Sequence, residues 1–205
     1  MTELRRPVSN WNVPNALTTL RIVMVPFFGW ALLVDGGGSV LWRLVAWVLF
    51  VTAMITDKVD GDIARSRDLV TDFGKIADPI ADKALTGMAF VGLSVIGELW
   101  WWVTVLVLLR EWGITLLRLW VIRYGVMAAG RGGKLKTVLQ TVALAMFVLP
   151  LRLLGGGWGT VGHVLWWVAV GLMAAAVSLT MLTGADYVRK ALTVRRHGRA
   201  DVRTG

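Results

Sequence analysis

One charged interval of the chain, residues 57–82, reads DKVDGDIARSRDLVTDFGKIADPIAD. It begins where an apolar stretch, residues 40–56, ends, and it finishes inside the start of the next apolar stretch, residues 79–97. Seven of the thirteen Asp and Glu residues of the chain fall within it. Ionisable groups at or below a membrane surface are costly and mark functional sites by default. The pattern predicts two membrane-spanning helices joined by a segment that carries the chemistry.

The same pattern of apolar stretches continues on both sides of this interval. A spanning helix needs about 20 mostly apolar residues, and such windows lie at residues 19–34, 40–56, 79–97, 99–122, 138–154 and 161–184. The chain of 205 residues is 56% hydrophobic and too short to bury six such helices in a soluble core. We predict an all-α integral membrane fold with six transmembrane helices. Residues 1–18 form a cytoplasmic segment, 19–184 the membrane domain and 185–205 a basic cytoplasmic tail.

The positive charges predict the orientation of these helices. The net charge is +9, and with the N-terminus inside, seventeen cations, Arg21 among them, fall on the cytoplasmic side against Arg43 and Arg152 opposite. An excess of Lys and Arg marks the cytoplasmic side, so both termini are expected there. Beside a membrane span the basic tail favours anionic membrane lipids as its partner rather than nucleic acid. The absence of Cys excludes disulfide scaffolds, thiolate zinc sites and iron–sulfur clusters.

Four carboxylates of the interval have helical spacing. Asp57 and Asp60 are three residues apart, and Asp78 and Asp82 are four apart, so each pair shares one helix face. Two such faces can converge on one site between the second and third helices, facing the cytoplasm. Hard oxygen ligands without His or Cys favour Mg²⁺ or Mn²⁺.

The small and basic residues of the interval suit a phosphate-containing ligand. Gly61, Ala64 and Gly74 permit close approach to the helices, and Arg65 offers a planar fork for phosphate oxygens. Pro79 interrupts a helical hydrogen bond, which predicts that the third helix begins or bends there.

Written as a pattern, the interval is D-x2-D-G-x2-A-R-x8-G-x3-D-x3-D. This resembles the signature of the CDP-alcohol phosphotransferases, with all eight fixed positions present. The resemblance implies a homodimeric six-helix membrane enzyme with a two-metal site that opens to the cytoplasm of a bacterial cell membrane.

The resemblance also implies roles for individual residues. Asp57, Asp60 and Asp78 correspond to metal ligands, and Asp82 to a carboxylate that is both near the metals and the base. Around them the CDP-lipid is expected to contact Gly61, Ala64, Arg65, Thr71 and Gly74, with weaker candidates in Asn15 and Thr18 of the string NVPNALTTLRI at residues 12–22.

Strings outside the signature bear on the acceptor. REWGITLLR at 110–118 and GKLKTVLQ at 133–140 look like bacterial phosphatidylglycerophosphate synthases. That resemblance implies CDP-diacylglycerol and glycerol 3-phosphate as substrates. A phosphorylated acceptor requires cations, and the candidates are Arg110, Arg118, Lys134 and Lys136. The two arginines could instead only neutralise the aspartates or Glu111.

Other functions stay open at this point. Within the same enzyme class the acceptor could be phosphatidylglycerol, as in a cardiolipin synthase, or inositol phosphate, as in a phosphatidylinositol phosphate synthase. From a different class, a small divalent-cation carrier would also use membrane carboxylates. Against a carrier, the carboxylates cluster at one membrane face and the chain has no repeated half.

Overall fold

The computed structural model describes residues 12–67, 71–121 and 132–204, and within these ranges the chain is helical without strands. Short 3₁₀ turns at Val34–Gly37, Leu151–Leu153 and Gly156–Trp158 join some of the helices. The predicted all-α fold is confirmed for the described residues. The helices are α1 Val13–Leu33, α2 Val40–Ser66, α3 Asp72–Val95, α4 Trp101–Val121, α5 Gly132–Val148 and α6 Gly159–Thr204.

Four segments of the described chain are long and apolar enough to cross a membrane. They are Val13–Gly37, Val40–Ala64, Leu135–Leu153 and Gly156–Arg189. These segments make the chain a multi-pass membrane protein. Helices α3 and α4 lie at the predicted third and fourth spans but are not among these four segments, so six spans remain a prediction.

Three predicted helix boundaries differ from the structure. Helix α3 begins at Asp72 rather than at Pro79, because the Thr71 hydroxyl caps it by accepting a hydrogen bond from the Gly74 amide at 3.1 Å. Pro79 therefore lies inside the helix, where it removes one hydrogen bond without ending it. Helix α1 begins at Val13, before the predicted span, and α6 continues as one helix through the predicted tail to Thr204.

The described chain divides into two compact units. The first comprises Met1–Glu98 and Val148–Leu153, and the second Leu99–Phe147 and Leu154–Gly205. In the first unit α1 packs against both α2 and α3. Phe28 and Phe50 lie in its core with ring centroids 5.5 Å apart. A Cβ at Gly29 would lie 2.7 Å from Met88 Sδ, so Gly29 lets the Met88 side chain of α3 pack directly against α1.

A buried arginine joins several segments at the start of α2 in the first unit. Arg43 is 1% exposed, and its guanidinium bonds to Glu98 Oε1 at 3.2 Å. It also donates to the carbonyls of Val148 at 2.9 Å and Leu149 at 3.0 Å. A buried cation is tolerated only when it is paired and hydrogen-bonded in this way. Arg43 therefore holds the segment Val148–Leu153 against the start of α2 within the first unit. This contact is far along α2 from Asp60.

In the second unit α4 packs against α6. Val103 and Val107 of α4 and Ala169 and Met173 of α6 are buried. Trp166 extends this core towards α5, because its ring lies 6.2 Å from that of Phe147.

Candidate active site

A cavity of about 190 Å³ opens between α1, α2 and α3 of the first unit. Eight of the residues predicted from the sequence line it, and Pro14 and Lys75 complete the lining. The structure thus brings the start of α1, the last turns of α2 and the first turns of α3 to one place. The eight predicted residues are Asn15, Thr18, Asp60, Gly61, Ala64, Thr71, Gly74 and Asp78.

A hydroxyl on α1 connects the carboxylates of the other two helices. Thr18 is 1% exposed, and its Oγ1 lies 2.6 Å from Asp78 Oδ1 and 3.5 Å from Asp60 Oδ2. The same hydroxyl lies 3.0 Å from the Pro14 carbonyl within its own helix. Asp60 and Asp78 therefore face each other across Thr18, as the spacing of the carboxylates predicted.

A second α1 side chain reaches the carboxylates of α2. Arg21 lies one turn after Thr18, and its two terminal nitrogens bond separately to Asp57 and Asp60. Sequence reasoning counted Arg21 only as an orientation charge and missed this contact. An arginine inside an apolar helix is itself a signal, because such a cation needs a partner.

Another part of the cavity wall is formed by residues at the capped starts of α1 and α3. Thr71 donates to the side-chain oxygen of Asn15 at 3.0 Å while it caps α3, and Asn12 caps α1 by accepting from the Asn15 amide at 2.9 Å. A Cβ at Gly74 would lie 3.1 Å from that Asn15 oxygen and 3.9 Å from Asp78 Oδ2. Gly74 therefore keeps the space between Asn15 and Asp78 open.

Two described signature residues, Asp57 and Asp82, are not part of this lining. Asp57 contributes through its bond to Arg21, with 40% of its side chain exposed. Asp82 lies one helical turn after Asp78 and is half-buried, and its carbonyl accepts from the Thr86 hydroxyl at 2.8 Å. The side chain of Arg65 lies outside the described part of the structure.

Another acid of the interval lies on the surface. Asp72, whose side chain is 93% exposed, accepts a hydrogen bond from the Lys75 ammonium at 2.9 Å. That hydrogen bond lowers the pKa of Asp72 below its usual value. Asp72 is therefore an ionised residue at the start of α3, where a negative charge is favourable.

The carboxylate oxygens of Asp57, Asp60 and Asp78 are of the chemical type that binds divalent cations. Among the described residues no group of three His, Cys, Asp or Glu side chains is close enough together to hold a metal ion. Instead, Arg21 lies between Asp57 and Asp60, and Thr18 between Asp60 and Asp78. A buried guanidinium in contact with two carboxylates shows that this place requires positive charge. Three carboxylates linked in series also supply the hard oxygens that Mg²⁺ and Mn²⁺ prefer.

The predicted acceptor residues belong to the second unit. Lys136 is 7% exposed in its side chain and bonds to Glu111 at 2.9 Å. Arg110 donates to the Thr180 carbonyl at 3.1 Å and to the Thr183 hydroxyl at 2.9 Å. Glu111 therefore has Lys136 as its hydrogen-bonded partner. The side chains of Arg118 and Lys134 are outside the described residues.

The comparison with known protein families agrees with this geometry. A model of the family described as CDP-alcohol phosphatidyltransferase matches residues 11–195. The chain belongs to this family. The resemblance seen in the signature is thereby confirmed, and with it the classification of the chain as a transferase. For a CDP-alcohol phosphatidyltransferase, the cavity between α1, α2 and α3 is the candidate active site, because it holds most of the signature residues.

Individual relatives within the CDP-alcohol phosphatidyltransferases are similar over most of their length. A probable phosphatidylglycerophosphate synthase of Mycobacterium tuberculosis is 54% identical over 181 residues, which cover 88% of this chain and 82% of that protein. The CDP-diacylglycerol–glycerol-3-phosphate 3-phosphatidyltransferase of Bacillus subtilis is 34% identical, covering 88% and 95% respectively. A protein of the same name from Rickettsia felis is 36% identical, covering 87% and 94%.

Proposed function

We propose that the chain transfers the phosphatidyl group of CDP-diacylglycerol to sn-glycerol 3-phosphate, forming phosphatidylglycerophosphate and CMP. The observation that carries this proposal is the cavity in which α1, α2 and α3 bring together eight predicted residues. The relatives named phosphatidylglycerophosphate synthase support the choice of acceptor. The reaction would supply anionic phospholipid biosynthesis.

The donor lipid would be bound by the walls of this cavity. Its cytidine diphosphate group would contact Gly61, Ala64, Arg65, Thr71, Gly74, Asn15 and Thr18. Gly74 supports this proposal directly, because a larger residue would close the space beside Asn15 and Asp78. Lys75 also lines the cavity and adds a cation that the signature does not specify.

The carboxylates would hold two divalent ions, Mg²⁺ or Mn²⁺, through Asp57, Asp60, Asp78 and Asp82. Ions in such a site supply positive charge to the phosphates and to the departing CMP. Thr18 and Arg21 would orient three of these carboxylates through the bonds described above. These bonds would fix the positions of the three carboxylates before any substrate binds.

Transfer itself requires one proton acceptor. A hydroxyl oxygen of glycerol 3-phosphate forms a bond to the phosphatidyl phosphorus, and the bond from that phosphorus to the CMP phosphate oxygen breaks. Asp82 would accept the proton that the hydroxyl loses. Asp82 is half-buried one turn from Asp78, which suits a carboxylate that must remain accessible to a second substrate.

The acceptor phosphate would be recognised by Arg110, Arg118, Lys134 and Lys136. Charge-assisted bonds from Arg and Lys are the strongest available to a phosphate. Lys136 holds Glu111 at 2.9 Å, so acceptor binding would require Lys136 to share its ammonium between two anions. This requirement predicts selectivity for acceptors that carry a phosphate.

The remaining proposals concern the setting of the enzyme. The distribution of cations supports a bacterial cell membrane location with both termini and the active site on the cytoplasmic side. We also propose a homodimer, on the basis of the family resemblance.

One experiment separates the acceptors. Purified protein with Mg²⁺ or Mn²⁺ and CDP-diacylglycerol is offered glycerol 3-phosphate, inositol phosphate and phosphatidylglycerol separately, and CMP release is recorded. We expect CMP release with glycerol 3-phosphate and not with either of the other two acceptors. Release with either of the other two acceptors in its place would reassign the enzyme within its class, and no release with any acceptor would favour the carrier hypothesis.

A further inference from the structure

Arg21 is one of the largest fully buried side chains in the described structure. It lies in an apolar membrane helix, and its side chain is 0% exposed. Its two terminal nitrogens bond to Asp57 and Asp60, while its Nε has no hydrogen-bond partner among the described residues. The guanidinium is therefore held by the two carboxylates and by little else.

Each partner in this cluster removes an electrostatic cost of the other. A buried guanidinium would be strongly unfavourable without a counter-charge. Two carboxylates one turn apart would repel each other and favour protonation. Arg21 cannot relieve the cost by losing its proton, because a guanidinium remains charged in proteins. In the cluster of one cation and two anions, the opposite charges thus offset one another's burial cost.

A divalent ion at the same carboxylates would meet this fixed charge. Each carboxylate has two oxygens, so Arg21 can retain one oxygen of each while a metal ion takes the other. The metal ion and the guanidinium would then lie close together and repel each other. At a separation of about 4 Å and an effective dielectric of about 20, like charges interact strongly enough to change affinity at least tenfold.

We propose that Arg21 is a built-in counter-ion that aligns Asp57 and Asp60 in the metal-free enzyme and lowers their affinity for divalent ions. It is a positioning residue, and it makes metal binding weaker and more readily reversible than three carboxylates alone would. The inference rests on the proposed function, because it takes these carboxylates as the metal site. It assigns a role to a residue that lies outside the signature.

The test measures binding of Mn²⁺ alone by electron paramagnetic resonance, together with thermal unfolding followed by the fluorescence of the twelve tryptophans. Arg21→Gln removes the charge and keeps a polar group. We expect its Kd for Mn²⁺ to fall at least about tenfold. Its metal-free melting temperature should fall, and Mn²⁺ should raise that temperature more than it does in the wild type.

Two further variants keep the test informative if Arg21→Gln folds poorly. Arg21→Lys keeps the charge but loses the two-armed geometry, so its Kd should stay within about threefold of wild type while its metal-free melting temperature falls. Lys58→Gln is the matched control. It removes one positive charge from an exposed position next to Asp57, where water and salt screen the effect, so its Kd should change less than twofold.

The outcomes distinguish this inference from the proposed function. Unchanged or weaker Mn²⁺ binding by Arg21→Gln, with normal binding by the wild type, would overturn the role of Arg21 alone. Tighter binding by Arg21→Lys, with no loss of stability, would also overturn it. No Mn²⁺ binding by either the wild type or Arg21→Gln would contradict the metal site itself and, with it, this role.

Discussion

The hydroxyl of Thr18 lies 2.6 Å from the carboxylate of Asp78, and this bond joins α1 to α3. The same hydroxyl is 3.5 Å from Asp60 on α2. One small side chain therefore sets the spacing between two acids that are eighteen positions apart in the sequence. The geometry of the candidate active site depends on a helix that carries none of the signature residues.

Replacing this hydroxyl should loosen the site. Thr18→Val keeps the shape but removes the hydroxyl that donates to the Asp78 carboxylate, and a hydrogen bond to a charged acceptor contributes about 2 kcal/mol. We expect a lower melting temperature and weaker Mn²⁺ binding. Thr18→Ser retains the hydroxyl and should behave like wild type, so equal losses in both variants would show that the methyl group, not the bond, is what matters.

Asp82 is the proposed base, and its amide variant separates binding from transfer. Asp82→Asn should bind CDP-diacylglycerol with a Kd near that of wild type but lose turnover by at least about 10²-fold, because an amide cannot accept the proton. Lipid binding and single-turnover CMP release would be measured on the same preparation. Retained turnover would remove Asp82 from the mechanism.

Two glycines of α3 form a matched pair. Gly74→Ala places a Cβ 3.1 Å from the Asn15 side-chain oxygen, whereas Gly87→Ala meets nothing within 4 Å. The first should raise the KM for CDP-diacylglycerol several-fold by narrowing the cavity. The second should leave KM unchanged and stabilise the helix by up to about 1 kcal/mol. Similar KM values for the two variants would argue that the donor lipid binds elsewhere.

The cation on α5 tests acceptor recognition. Lys136→Gln should raise the KM for glycerol 3-phosphate at least about tenfold, because a charge-assisted bond is lost, with little change in the KM for CDP-diacylglycerol. A purely structural role, in which Lys136 serves only to neutralise Glu111, predicts instead a lower melting temperature with both KM values unchanged. Initial rates at varied concentrations of each substrate, compared with a melting curve, decide between them.

The buried ion pair between Arg43 and Glu98 should stabilise the fold rather than act in catalysis. Glu98→Gln leaves Arg43 buried with carbonyl partners but without its counter-charge, and breaking such a pair costs about 3–5 kcal/mol. We expect a large drop in melting temperature that added Mn²⁺ does not reverse. A change in metal affinity without a loss of stability would mean that Arg43 is linked to the active site.

Local patterns in the sequence were enough to indicate five of the signature residues that line the cavity. Asp57 and Asp60 were expected to share one face if α2 continued past the apolar stretch, and α2 does continue to Ser66. The helix faces that carry Asp60 and Asp78 were expected to be able to converge. Both carboxylates do lie beside the Thr18 hydroxyl. The start of α3 was predicted too late, because the capping hydroxyl of Thr71 outweighed the hydrogen bond that Pro79 removes.

The contribution of α1 could not be read in the same way. Whether Arg21 points to lipid, to water or to Asp57 depends on the rotation of α1 against α2, and rotation is a property of packing rather than of local sequence. The same holds for Arg43, which was counted only as a cation on the side opposite the cytoplasm and is buried against the carbonyls of Val148 and Leu149. Both arginines show that a cation inside an apolar stretch should be assigned a partner first.

The most direct test of the central claim is the product itself. Purified protein is incubated with Mg²⁺ or Mn²⁺, CDP-diacylglycerol and glycerol 3-phosphate labelled with ³²P, and the organic phase is analysed for labelled lipid while CMP is measured in the water phase. We expect labelled phosphatidylglycerophosphate in equal molar amount to CMP, with both lost when a chelator is added. CMP without labelled lipid, or no product at all, would contradict the central claim.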